Sequence, residues 1–273
     1  MQAFSRWTPP TGVLGQIVKE AEARAEALHA RAAMLEEAAA LAPAAPSLRA
    51  ALRRESVGLL AEVKRRSPSK GSIAEGLDAT DQARAYQQGG AAGLSILTEP
   101  AHFGGSVDDL RNVRAVLGLP LLKKDFHVAP IQLLEARVLG ASAALLIARA
   151  LPPDQLAVMM RVGASLGLEL LVEVRDEAEL AFALGEGASM VGVNNRDLET
   201  LRIDPATGDR LIPMIPADVV AIAESGVNTR ADVERYAAVG ADAVLVGSSL
   251  SAAHDPVSAT RVLTGVPRRT RAG

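Results

Sequence analysis

Eight short apolar runs, each ending in polar residues or glycine, recur along this chain: "LLAEVKR", "GLSILTE", "PLLKKDF", "AALLIA", "LELLVEV", "SMVGVNN", "VVAIAESG" and "AVLVGSS". Most are too continuously apolar for a strand with one wet face. They read as strands covered on both sides, as in a parallel sheet. Between them lie segments of helical length: "DATDQARAYQQGG", "SVDDLRNVRAVLG", "APIQLLEARVLG", "PPDQLAVMMRVGASLG", "DEAELAFALGEG" and "TRADVERYAAVG". Several open on Asp, Ser or Thr and close on glycine, the N-cap and C-cap signals. A Gly-Ala pair stands before a strand four times, at Gly90-Ala91, Gly140-Ala141, Gly187-Ala188 and Gly240-Ala241. Each such glycine is placed where a helix must stop and reverse. The repeating unit is therefore one strand plus one helix, about 20–35 residues long. Eight units predict an α/β fold of the (β/α)8 TIM-barrel type. A doubly wound open sheet competes, but its first strand is usually followed by G-x-G-x-x-G. Here that position reads "RRSPSKGS".

The first part of the chain differs. "VLGQIVKEAEARAEALHARAAMLEEAAALA" is rich in Ala, Glu, Arg and Leu, which favour helix, and its Leu14, Ile17 and Val18 fall at helical spacing. Residues 1–55 are expected to form an extension of one or two helices, closed by "APAAPS" and packed on a barrel spanning 56–273. The hydrophobic fraction of 49% suffices for a large core, and aromatics are only 3%, so Ala, Leu and Val must fill it. A net charge of −3 offers no polyanion-binding surface, and few aromatics offer no stacking platform, so a nucleic-acid partner is not expected. There is no cysteine, which excludes disulfides and thiolate metal sites. No apolar run approaches the ~18 residues of a membrane span, and the N-terminus lacks a signal-peptide layout. A soluble cytoplasmic protein, without a membrane partner, is the expectation.

In a barrel of this kind the active site lies at the C-terminal ends of the strands. The polar residues ending the runs are Glu62 and Lys64, then Thr98 and Glu99, Lys124 and Asp125, Glu173, Asn194 to Arg196, Glu224 and Ser225, and Gly247 to Ser249. Side chains alternate along a strand, so Glu62 and Lys64 share one face. Charged residues at several strand ends at once fit a general acid-base site better than rim decoration. The loops "ESGV" and "GSSL" after the last two runs carry glycines whose backbone can approach an anion, where barrels often hold phosphate. No His pairs at metal-ligand spacing and no D-x-D pattern ends a strand, so no metal is expected. His102 and His127 read as rim or packing residues.

These residues together resemble the indole-3-glycerol phosphate synthase family. "LLAEVKRRSPSKG" is similar to that family's Glu-x-Lys and Ser-Pro-Ser first strand, "SILTEPAHFGGS" to its second-strand loop, and "LLKKDFHVAPIQLLEAR" to its Lys-Asp-Phe segment. "LVEV", "VGVNNRDL", "AESGV" and "VLVGSSL" follow in the family's order, and the resemblance runs from about Leu14 to Leu250. It implies a step of tryptophan biosynthesis without a cofactor. The ring of 1-(2-carboxyphenylamino)-1-deoxyribulose 5-phosphate is closed with loss of carbon dioxide and water. By the same resemblance Lys124 is a general acid on the ketone, and Lys64 contacts the anionic substrate and shares the acid role. Glu173 is the acid-base residue opposite, and Glu62, Asn194 and Ser225 position these groups. Ser67, Gly226, Gly247 and Ser248 hold the phosphate, Arg196 braces the site, and Phe103 and Phe126 form the aromatic pocket. Lys124 then faces inward and Lys123 the other way. Arg66 is given only an electrostatic role. The implied partner is a phosphorylated small molecule. The chain is expected to be a monomer, with association with other tryptophan-pathway enzymes as a further expectation. A phosphate-binding barrel such as phosphoribosylanthranilate isomerase, or a catalytically silent barrel, is the alternative.

Overall fold

The computed structural model describes residues 7–271. Residues 1–6 and 272–273, at the two ends of the expected extension and barrel, lie outside the described residues. Eight parallel strands close into a barrel: β1 (Gly58–Val63), β2 (Gly93–Leu97), β3 (Leu121–Lys124), β4 (Ala143–Ile147), β5 (Glu169–Val174), β6 (Met190–Asn194), β7 (Val220–Glu224) and β8 (Ala243–Val246). Closure is made by β1, which pairs with β8 through Gly58↔Ala243 and with β2 through Glu62↔Ser95. All eight apolar runs become barrel strands, and the six expected helical segments all contain helices. The four repeated glycines have φ of 95°, 77°, 84° and 92°. That is the left-handed geometry in which a helix is ended and the chain turned.

Period two builds the interior. Leu60, Leu122, Leu171 and Ile222 are fully buried, and each lies two residues before a charged strand-end residue. An apolar layer thus forms the floor, and Glu62, Lys124, Glu173 and Glu224 rise from it towards the mouth.

The N-terminal part holds three helices, where one or two were expected: α1 (Gly12–His29), α2 (Ala32–Leu41) and α3 (Leu48–Leu52). The third follows the Pro/Ala stretch because Ser47 caps it, accepting a hydrogen bond from the Ala50 amide. Leu48 and Leu52 of α3 are fully buried against Gly93 and Gly58 at the starts of β2 and β1, so α3 covers the N-terminal end of the barrel. The α1 helix runs to the opposite end. Its Arg24 donates to Asp125 at 2.9 Å, and its Glu20 meets His102 at 2.8 Å.

Lys123 takes the face opposite Lys124, as alternation requires, yet it is not in water. Only 1% exposed, it pairs with Glu135 at 3.1 Å and Asp125 at 3.5 Å. His127 lies beside it, its Nδ1–H donating to the Leu145 carbonyl at 2.7 Å. That leaves Nε2 as an acceptor for Lys123 at 3.4 Å. Burial and the Lys123 charge push the His127 pKa down to about 3, so the ring is neutral and serves packing. Burial opposes the charge on Asp125, but the Lys123 and Arg24 charges and the Thr98 hydroxyl outweigh it and hold that carboxyl below its usual range. Lys123→Met keeps the bulk and removes the charge from between two carboxylates. It should lower stability by about 3 kcal/mol, measured by urea unfolding. An unchanged midpoint would mean that the cluster contributes nothing net.

Candidate active site

One cavity of about 170 Å³ occupies the mouth of the barrel. All thirteen residues singled out from the sequence line it: Glu62, Lys64, Ser67, Phe103, Lys124, Phe126, Glu173, Asn194, Arg196, Ser225, Gly226, Gly247 and Ser248. Its centre is ionic. The Lys124 ammonium lies 3.1 Å from Glu173 Oε2 and 3.2 Å from Glu224 Oε2, bonding to both. Asn194 Nδ2 donates to the other Glu173 oxygen at 2.8 Å, and Asn194 Oδ1 accepts from the Arg196 amide. Both oxygens of Glu173 are thereby fixed in direction. Across the mouth, Lys64 Nζ approaches Glu62 Oε1 at 2.5 Å, and Ser95 donates to Glu62 Oε2 at 3.2 Å. The Glu62–Lys64 contact is an ion pair without hydrogen-bond alignment.

Glu224 ends its run in the sequence but received no role there. The missing signal was room. A Cβ added at Gly192 would lie 2.0 Å from Glu224 Oε1, and one at Gly247 would lie 2.5 Å from Glu62 Oε1. The absent side chains of β6 and of the β8 end are thus the spaces that two buried carboxylates occupy. Register places Gly192 beside Ile222 and Asn194 beside Glu224, and Ala61 beside Val246, which brings each hole next to its occupant.

Burial pushes the Glu224 carboxyl up to about 7, partly offset by Lys124 and reinforced by Glu173. Its Oε1 finds no hydrogen-bond partner among the described residues, which also favours the protonated form. For Lys124, burial disfavours charge, but Glu224, Glu173 and Glu62 more than compensate and raise it above the ordinary lysine range. The centre therefore keeps a proton on Lys124 and has a carboxyl that titrates near neutrality.

The walls come from loops and from α1. Val13, Leu14 and Ile17 of α1 line the cavity together with Phe103 and Phe126, whose ring centroids are 6.1 Å apart, and Lys64 lies 5.9 Å from the Phe103 ring. The N-terminal extension is thus part of the site. A small hairpin, Arg66–Ser67 with Gly71–Ser72, carries Ser67 and also Lys70 to the rim. Arg196 spends its guanidinium on the Leu201 carbonyl at 2.9 Å, a bracing contact across its loop. Ser225 is left-handed, with φ 64°, between Glu224 and Gly226. For a residue with a Cβ this is a strained geometry, of a kind that clusters at functional sites. It turns the chain away immediately after the β7 carboxylate. His102 stands outside the cavity, bound to Glu20. Glu20, Glu99 and His102 are near enough to share an ion, but Glu99 accepts three helix amides and lies 3.5 Å from Arg24.

The model of the family described as indole-3-glycerol phosphate synthase matches residues 14–263. This chain belongs to that family. The synthase of that name from Mycobacterium leprae is 48% identical over 252 residues, covering 92% of this chain and 93% of the relative. That of Mycolicibacterium smegmatis is 48% identical over 225 residues, covering 82% and 83%. Among solved structures, 3-hexulose-6-phosphate synthase from Salmonella typhimurium superposes with a TM-score of 0.62 at 15% identity, over 76% of this chain and 96% of that one. Thiamine phosphate pyrophosphorylase from Pyrococcus furiosus gives 0.59 at 16%, over 80% and 96%. At such identities these two speak for the barrel fold alone.

Glu224 also makes a signed prediction about stability. Its folded pKa, about 7, lies above the ordinary 4.5, so between those values the folded state holds a proton that the unfolded chain has released. This carboxyl's contribution is fully present below about 4.5 and is lost as pH rises through about 7. Glu224→Gln should remove that loss. Thermal unfolding across this window should show the variant gaining on the wild type as pH rises; parallel curves would refute the assignment.

Proposed function

We propose that the cavity closes the indole ring of 1-(2-carboxyphenylamino)-1-deoxyribulose 5-phosphate and releases indole-3-glycerol phosphate. The family makes this chain a carboxy-lyase of tryptophan biosynthesis. The observation that carries the assignment of roles is the Lys124 ammonium, held between two carboxylates at the floor of a cavity with one apolar wall.

The ring carbon bearing the carboxylate attacks the ketone carbon while Lys124 gives a proton to the ketone oxygen. A charged donor in a mostly buried site both supplies the proton and stabilises the oxyanion that would otherwise form. The carboxylate then leaves as CO2, and its bonding pair returns to the ring. The new hydroxyl leaves as water with a second proton from Lys124, recharged through Glu173 at 3.1 Å, and Glu173 then takes a proton from the neighbouring carbon to complete the indole. Asn194 keeps Glu173 aimed, and Glu62 keeps Lys64 over the anionic substrate, where it can share the acid role. Glu224, buried and titrating near neutrality, joins this set as the partner that holds Lys124 in place. Ser67, Gly226, Gly247 and Ser248 cradle the phosphate at the rim. Phe103 and Phe126, with Leu14 and Ile17, enclose the aromatic ring. Ser225 sets the turn between the carboxylate and the phosphate loop, and Arg196 braces the facing loop.

The cavity takes its proposed acids, bases and walls from a single copy of the chain, so the proposed reaction needs no second copy. No helix among the described residues is long and apolar enough to cross a membrane, and the reactants are small and polar, which supports a cytoplasmic location. The family match sets aside the isomerase reading.

The test is turnover of the carboxyphenylamino-deoxyribulose phosphate, followed by indole fluorescence. Lys124→Ala should lose ~10²-fold or more in kcat, the typical contribution of a general acid. An unaffected variant would move the acid role to Lys64. Folded wild type that forms no product would end the synthase reading.

A further inference from the structure

The proposed reaction has a proton deficit. An ionised arenecarboxylate enters, and neutral CO2 and water leave. Two protons are delivered, to the ketone oxygen and to the departing hydroxyl, and one is recovered from carbon. One proton per turnover must come from solvent. On the synthase reading the substrate occupies the mouth, and so stands between Glu173 and solvent on that side.

A second cavity, of about 180 Å³, adjoins the first along Ile147, Glu173, Asn194, Arg196 and Leu198. One water needs only ~10–15 Å³, so there is space for several. Glu173 and Asn194 line both cavities, and at the second one they face Arg149, Arg175, Asp176 and Glu179. Asp176 is exposed and Arg175 half-exposed, so this cavity reaches the surface at the start of the helix Glu177–Gly185. Glu179 itself is 6% exposed. The cations around it are committed elsewhere: Arg149 to Glu199 at 2.6 Å and Arg175 to Asp197 at 3.2 Å.

We propose that Glu179 is the outer station of a proton inlet, passing a proton from solvent through water in this second cavity to Glu173 and from there across 3.1 Å to the spent Lys124, while substrate occupies the mouth. The proposal rests on the synthase reading, because only a reaction with a proton deficit needs an inlet. Glu179 does not touch substrate; it acts through Glu173. Its charge environment suits the task. Burial, then the charges of Asp176 and Glu173, push its carboxyl up to about 7, with the Arg175 amide and Arg149 pulling the other way. A carboxyl near neutrality both takes and gives protons efficiently.

Glu179 also has a plain structural duty. Its Oε2 accepts the Arg175 amide at 2.7 Å, beside the Asp176 N-cap. Two variants separate the roles. Glu179→Gln keeps an acceptor for that amide and cannot relay a proton. Glu179→Asp keeps a titratable carboxyl and is too short for the amide. The inlet predicts that Glu179→Gln lowers kcat on the order of tenfold with KM unchanged, less than the ~10²-fold of a direct acid. The deficit should be largest below the Glu179 titration near 7 and fade above it. Glu179→Asp should retain more activity than Glu179→Gln, although it unfolds at lower urea. Glu179→Gln matching wild type across pH, or Glu179→Asp being the slower of the two, would overturn the inlet and leave only the cap. Wild type that forms no product would remove the synthase reading and the inlet with it. Wild-type turnover with an unaffected Glu179→Gln removes the inlet alone.

Discussion

Three charges on three different strands hold the mouth of this barrel together. Lys124 ends β3, Glu173 lies near the end of β5, and Glu224 ends β7. Any one of them buried alone would carry a large desolvation cost. Together they compensate, and they meet only because the sheet closes on itself. The apolar layer beneath them and the glycine holes beside them make sense in that light. The floor excludes water from below, and the holes let carboxylates sit where side chains would otherwise pack. The chemistry of the site and the closure of the fold depend on the same contacts.

Three consecutive residues at the end of β3 reach in three directions. Lys124 enters the mouth, Lys123 enters the layer between barrel and helices, and Asp125 binds Thr98 and Arg24. Through Asp125 the strand that carries the proposed acid is tied to α1, whose Val13, Leu14 and Ile17 wall the cavity. The N-terminal extension is therefore coupled to the position of Lys124 by a partly buried ion pair as well as by apolar contact. A change in how α1 sits would be felt at the strand end.

The barrel was legible because its signals are local. Apolar runs, helix caps and the four Gly-Ala stops each occupy a few residues, and each appears in the structure where it was expected. Strand-end position and period two led to Glu62, Lys64 and Lys124, all of which line the cavity. What stayed hidden depends on contacts across the ring. Glu224 was visible as a strand-end carboxylate, but its place beside Lys124 follows from two strands a hundred residues apart facing each other. Alternation gave Lys123 its face but not its burial, because its partner Glu135 lies on the next helix and the pairing has no periodic mark. The third N-terminal helix was too short for a periodic signal and was carried by one cap, Ser47. The second cavity left no trace in the sequence, since its walls come from three separate strand-helix loops.

The holes at Gly192 and Gly247 constrain how such a barrel can change. A side chain at either position collides with a carboxylate that is already there, so the glycine cannot mutate first without disturbing the site. Once Glu224 or Glu62 has been shortened, the same substitution fills a void and its sign can reverse. Each pair is thus a case of order-dependent coupling between contacting residues. Descendants that abandon this chemistry can leave by losing the carboxylate and then filling the hole. A return would need both steps undone, and restoring either residue first would bring little benefit. Two missing methyl groups make that departure hard to reverse.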